Sequence, residues 1–222
     1  MGLVTGYLCL ICLAVLLFMY VAKKMKWQKL SAGLIKLHKS AAWGFLIIGI
    51  IHFILVLPVL DTRNILITIS GIIMIVAGIL ITASYYSMKD IKQRKKVHKL
   101  FALVIFILLI IHILFYVLDL AYYVKSIQAI QLEEVDLTQI ENGEYTGECN
   151  VGYIYAKVQV IVENHKIQEV RLLEHKHERG IKAEAITDQM VEEQKVVVDA
   201  VSGATNSSLV IRKACINALT GE

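Results

Sequence analysis

The sequence predicts a membrane all-α four-helix bundle followed by a small extracellular α+β domain. Three observations carry that prediction. Hydrophobic residues make up 57% of the 222, and they gather in four long runs within the first 125 positions. The charge is split: through Lys125 there are 14 Lys/Arg against three acids, and beyond it nine against 16. After Ser126 the long apolar runs give way to short alternating stretches. The expected division is a transmembrane domain over 1–125, a tether over 126–142 and a second domain over 143–222. The net charge of +4 gives no support for nucleic-acid binding, because the basic residues cluster at the edges of the apolar runs.

Residues 3–22 form an apolar run of about 20 residues, enough to span a bilayer. No small-residue cleavage site closes it, so a retained helix is expected rather than a removed leader. Lys23, Lys24, Lys26, Lys29, Lys36 and Lys39 make the next connection basic. The second span is expected over about 41–60, with Pro58 near its end, and the link Asp61-Thr62-Arg63-Asn64 is short and nearly neutral. The third span covers about 65–86. Lys89, Lys92, Arg94, Lys95, Lys96 and Lys99 follow, and the fourth span covers about 100–122. Basic connections stay in the cytoplasm. The N-terminus, the Asp61 link and everything after Tyr123 are therefore expected outside, with the second and fourth spans running in the same direction. Tyr20, Trp27, Tyr85, Tyr86, Tyr122 and Tyr123 fall near span ends, where interfacial aromatics collect.

Those two co-directional spans look like copies. One reads Lys36-Leu37-His38-Lys39 and then Ile50-Ile51-His52; the other reads Lys96-Val97-His98-Lys99 and then Ile110-Ile111-His112. The histidines are 14 residues apart in each, and the copies are offset by 60. Fourteen helical residues separate two imidazoles by roughly 21 Å along the axis, about 40° from the same face. That places one imidazole near each edge of a hydrocarbon core about 30 Å thick. A polar ring within lipid is costly and points to function. Singly, His38 and His98 read equally as interfacial residues beside lysines; His52 and His112 lie in fully apolar runs. As pairs, His38 with His98 and His52 with His112 would supply axial ligands for two haems b at two depths. The spacing resembles the di-haem b-type cytochromes such as ferric reductases and NADPH oxidases, over the paired-histidine helices only; those families have six spans against four here.

Gly44, Gly49, Gly71 and Gly78 suit either close helix packing or the approach of a flat macrocycle. Cys9 and Cys12 form a C-x-x-C without a following His, which excludes c-type haem attachment and leaves them as apolar fillers. Cys149 and Cys215 can pair if their domain faces an oxidising compartment.

In the second domain, Gly143-Glu144-Tyr145-Thr146-Gly147 opens a strand-rich stretch. Residues 157–162 and 167–173 alternate around Asn164 as a hairpin does. Residues 181–193 have helical spacing, 196–198 reads as a short strand, and 206–219 as a terminal amphipathic helix with Gly221 just past its end.

The most specific short motif is Asp199-Ala200-Val201-Ser202-Gly203-Ala204-Thr205. Physically it is a glycine turn leading to a hydroxyl-rich helix start, where the exposed N–H groups and the dipole favour a phosphate; an ordinary capping turn has the same composition. The motif resembles the D-x-x-[ST]-G-A-[ST] pattern of the FMN-binding domain family, found in membrane subunits of Rnf and sodium-pumping quinone-reductase complexes. The resemblance extends over about 143–219. It implies that Thr205 carries FMN through a phosphoester (phosphothreonyl-FMN) made by a flavin transferase, with Asp199, Ser202, Gly203 and Ala204 forming the recognised turn. His175 and His177 could hold a metal, line the flavin site or sit in a solvated loop.

Haem and FMN together imply a transmembrane electron-transfer protein, an oxidoreductase component. Its electrons would come from a quinol or a cytosolic flavoprotein, cross the bilayer and pass by way of FMN to an extracellular acceptor. No G-x-G-x-x-G strand–turn–helix is present, so no NAD(P)H site of its own is expected. The alternative from another class is a metal transporter, with the four histidines as the ion path and a C-terminal metal-binding domain.

Overall fold

A computed structural model describes residues 2–221; the side chains of 28–31 and 34, Lys29 among them, lie outside the described residues. The chain divides into two compact units. The first holds residues 1–60 and 64–116, and the second holds Asp61–Arg63 and Val117–Glu222.

Four helices, α1 (Gly2–Lys24), α2 (Gln28–Val56), α3 (Ile65–Ser87) and α4 (Ile91–Ala129), are each long and apolar enough to cross a membrane. α1, α3 and α4 run past the expected spans, whereas α2 starts earlier but ends at Val56, where a 3₁₀ turn (Leu57–Thr62) takes over. The basic stretches are largely helical: Lys23 and Lys24 end α1, Lys29, Lys36 and Lys39 lie in α2, and Lys92 to Lys99 lie in α4, leaving Lys26 and Lys89 in the links. Lysine and arginine are good helix formers, so a charge run at a span edge continues the helix once it is started. Asp90 starts α4, its carboxylate accepting from the Lys92 N–H at 2.8 Å, and Asn64 starts α3 by accepting from Leu66 at 3.0 Å. Both are N-cap residues that satisfy an orphan donor of the first turn.

Contacts between helices give their directions. Gly6 lies beside His52 and Gly44 beside Cys12, so α1 and α2 are antiparallel. Gly49 faces Ile75 and Gly78 faces Leu46, so α2 and α3 are antiparallel too. The three-residue link from Ser87 to Ile91 returns α4 along α3. Consequently α2 and α4 run the same way, as the alternating spans predict. Phe45, Leu46, Met74, Ala77 and Ile105 form the buried centre of this unit, with Cys9 and Cys12 packed against it as fillers. At Gly78 an added Cβ would lie 2.7 Å from Leu46 Cδ2, so this glycine serves helix packing.

The second unit is built on a three-stranded antiparallel sheet in the order β1 (Gly143–Asn150), β2 (Tyr155–Glu163), β3 (Lys166–Lys176). On β2 every second residue is buried: Ala156, Val158, Val160 and Val162. Asn164 and His165 both take positive φ, 53° and 59°, which closes the expected hairpin with a two-residue turn whose twist matches the strands. A 3₁₀ turn (Ile181–Ala185) leads into α5 (Ile186–Glu193). The closing helix α6 (Thr205–Thr220) ends on Gly221 at φ 75°. Ile186, Met190, Val210, Ile211, Ala214 and Cys215 complete the core. Each large apolar side chain fully buried there contributes about 1.5–3 kcal/mol.

Residues 196–198, expected as a strand, do not join the sheet. The N–H groups of Val196 and Val197 donate instead to the Glu134 carboxylate at 3.0 and 3.3 Å. A side chain from the preceding segment thus takes the bonds that a neighbouring strand would have supplied. That segment also lays Ile130, Leu132, Val135, Leu137 and Ile140 on the core. Cys149 and Cys215 are free thiols, and complete burial pushes the Cys215 thiol up to about 12.

α6 lies against the backbone of β1 at Gly147, where a Cβ would overlap the Ala218 nitrogen and the Ala214 oxygen. Both are backbone atoms and cannot step aside. Gly147→Ala is expected to destabilise the domain by about 1–3 kcal/mol or more. Gly143→Ala, which meets only the Tyr145 ring at 3.4 Å, should be close to neutral. Thermal unfolding of the two full-length variants checks this; equal midpoints would contradict it.

Candidate functional site

The motif turn is built from its own backbone and from α6. The Ala204 N–H donates to the Val201 carbonyl at 3.0 Å, closing a tight turn with Gly203 at φ 78°. A positive φ at that position is what glycine supplies without strain. Ser208 accepts from the Val201 N–H at 3.1 Å, and Arg212 donates to the Val198 carbonyl at 2.8 Å and to the Ser208 carbonyl at 3.2 Å. Two residues of α6 therefore hold the turn: Ser208, which closes the hydroxyl-rich stretch 198–208 that stands out in the sequence, and Arg212, which does not stand out. Burial lowers the Arg212 guanidinium from its usual range, and the charge of Asp199 opposes that shift. Ser202, Gly203 and Thr205 are exposed and Ala204 is buried beneath them. Thr205 is thus the exposed first residue of a 16-residue helix. Next to it, Asn206 donates to the Tyr123 hydroxyl at 2.8 Å. Tyr123 stacks on Tyr153 at 4.7 Å between ring centres, and the Arg63 guanidinium lies 3.4 Å over the Tyr153 ring.

The loop after β3 packs on the same helix start. A Cβ on Gly180 would overlap the Ser207 hydroxyl, so the loop that begins at His177 runs directly against α6; His175 itself lies on β3, opposite Ala156, and not in that loop. The Gly180 N–H donates to His177 Nδ1 at 3.0 Å, and His175 Nδ1 lies 3.0 Å from a Glu184 oxygen. The three groups place potential metal-ligand atoms within 4.8 Å of one another, and Glu184 is the member that spacing could not supply. His177 Nδ1 already accepts from backbone, and the Glu184 carboxylate is engaged by His175. Local hydrogen bonding therefore engages His177 and Glu184, while His175 Nε2 is buried with no hydrogen-bond partner among the described residues.

In the first unit, the structure brings the rings of His38 and His98 together edge-on. The rings of His38 and His98 have centres 5.9 Å apart with planes at 62°. His52 and His112 are each held by the helix before their own. His52 Nδ1 lies 3.1 Å from Thr5 Oγ1 and 2.9 Å from the Gly2 carbonyl oxygen. His112 Nδ1 lies 2.9 Å from Ser70 Oγ and 3.1 Å from the Ile67 carbonyl oxygen.

The family model of the FMN-binding domain matches residues 152–220. The matched span runs from the β1–β2 turn to the end of α6 and includes the whole Asp199–Thr205 motif. The small sheet domain therefore carries an FMN-binding domain, and the chain links it to four apolar helices. β1 lies just ahead of the match yet pairs with β2 along its full length. No curated protein and no solved structure matches the chain.

Burial lowers the His175 imidazole from its usual range, with the Glu184 contact opposing. A histidine kept neutral in the fold adds stability that is complete above its unfolded value of about 6.5. That contribution is lost as pH falls through the lowered folded value. Thermal midpoints of the full-length protein, followed by flavin fluorescence, should therefore drop between about pH 7.5 and 5. His175→Asn should flatten the profile, and equal slopes would count against the buried neutral ring.

Proposed function

We propose that the chain is a transmembrane electron conduit, with two haems b held by His38/His98 and His52/His112 and FMN bound covalently to Thr205. The observation that carries this reading is the adjacent pair His38 and His98 within a four-helix unit whose chain continues into an FMN-binding domain. An imidazole nitrogen bonds a transition metal at about 2.0–2.1 Å, so two imidazoles on opposite sides of one iron have ring centres roughly 6 Å apart. The 5.9 Å separation fits that requirement. Haem and flavin supply the redox chemistry when bound. The protein supplies imidazole ligands at two levels, an apolar surround, and an exposed hydroxyl where a transferase can place the flavin. The basic starts of α2 and α4 support a cytoplasmic position for the His38/His98 level. The FMN-binding domain then lies outside, reducing an extracellular acceptor with electrons from a quinol or a cytosolic flavoprotein. The metal-transporter reading is not favoured, because the domain it would use for metal is an FMN-binding one.

Intact-mass measurement tests the flavin anchor. Wild-type protein co-expressed with a flavin transferase should carry the mass of an FMN phosphoester, and Thr205→Ala should lack it. Because Thr205 is exposed, that variant should stay within about 0.5 kcal/mol of wild-type stability. His98→Ala should lose one haem, since an axial ligand fixes the iron. Undiminished haem would contradict the pairing, and FMN retained in Thr205→Ala would contradict the anchor.

A further inference from the structure

The surroundings of His52 and His112 determine which nitrogen of each ring carries the proton. Thr5 Oγ1 donates to the Gly2 carbonyl at 2.8 Å, and Ser70 Oγ donates to the Ile67 carbonyl at 2.9 Å. A hydroxyl has one proton to give. With that proton turned to a carbonyl, the hydroxyl presents only lone pairs to the imidazole, and the carbonyl presents only lone pairs as well. Each Nδ1 therefore sits between two acceptors. An Nδ1 lone pair there would be repelled from both sides, so the proton belongs on Nδ1.

The two settings are copies. Gly2, Thr5 and Gly6 on α1 correspond to Ile67, Ser70 and Gly71 on α3, each 65 positions on. The glycines complete the seat: an added Cβ would lie 3.4 Å from His52 Cε1 at Gly6 and 3.5 Å from His112 Cε1 at Gly71. By contrast, His38 Nδ1 is buried without a hydrogen-bond partner among the described residues. The doubly held arrangement belongs to one level of the bundle.

We infer that Thr5 with the Gly2 carbonyl, and Ser70 with the Ile67 carbonyl, are positioning groups that lock His52 and His112 as Nδ1–H tautomers, presenting both Nε2 lone pairs as ligands for one transition-metal centre. The inference rests on the proposed haem reading for the identity of that metal as iron, but not for the tautomer. An acceptor behind a ligating imidazole fixes ring orientation and raises the basicity of the bound nitrogen; losing such a partner typically costs 10–100-fold in metal affinity. Thr5 and Ser70 thus hold and tune the ligands without touching the metal.

The test uses the full-length protein in two states. In haem-depleted protein labelled with ¹⁵N-histidine, wild type should show His52 and His112 as Nδ1–H tautomers, assigned by loss of each signal in His52→Gln and His112→Gln. In Thr5→Ala and Ser70→Ala the corresponding ring should show a mixture of tautomers or a shifted Nδ1 resonance. Haem-loaded Thr5→Ala and Ser70→Ala should lose haem to apomyoglobin about 10–100 times faster from one of the two sites. Their ferric low-spin spectrum should change at that site alone, and Thr5→Ser and Ser70→Thr should restore both properties. Haem retained at the other level of the same molecules reports that the helical unit of each variant has folded. Nε2–H tautomers in wild type, or unchanged haem release and spectra in both Ala variants, would overturn the inference. Nδ1–H tautomers in a protein that takes up no haem would leave it standing while removing the proposed function.

Discussion

A polar ring inside an apolar bundle needs a partner, and the starts of α1 and α3 are arranged to give one to His52 and His112. An unbonded imidazole there bears the full cost of its lost hydration, and bonds to Nδ1 relieve part of it. α1 and α3 meet the need in the same manner, each bringing a hydroxyl, a carbonyl and a glycine to a histidine on the following helix. The antiparallel hairpins α1–α2 and α3–α4 are what bring those groups together. Many of the remaining large residues on these helices, such as Ile47, Ile54, Leu103 and Leu114, are exposed on the protein surface. That suits a surface whose solvent is lipid.

The FMN-binding domain depends on a different kind of constraint. Its sheet has one face to bury, and α6 comes close enough to do so only because β1 carries no side chain at Gly147. The same helix starts at the motif turn and holds it from within, through Ser208 and Arg212. Packing and site are therefore one structure: whatever moves α6 against the sheet also moves Thr205. The loop from His177 to Gly180, set against Ser207, couples the far end of β3 to the same helix start.

How much of this could be read from the chain depended on the range of the interaction. The four spans, the hairpin around Asn164 and α6 are local patterns of period and turn chemistry, and they stand out in the sequence. The helical state of the lysine-rich stretches did not, because a charge run says where a bilayer ends but not where a helix does. Residues 196–198 have strand composition, yet Glu134, more than 60 positions earlier, takes their N–H groups. The paired His-x₁₃-His copies are visible as a repeat in sequence. Their anchors are not, since Thr5 and Ser70 lie on other helices and look like ordinary small residues in apolar runs. Glu184 is likewise joined to His175 and His177 only by the turn between β3 and α5.

The quantity that bears most directly on the account is the ratio of haem b to covalent FMN in the purified full-length chain, from a pyridine haemochrome assay and flavin absorbance on one sample. The proposed pairs His38/His98 and His52/His112, with the proposed flavin on Thr205, predict two haems for each flavin. A fully flavinylated protein that contains no haem, even when expressed with haem in excess, would contradict it.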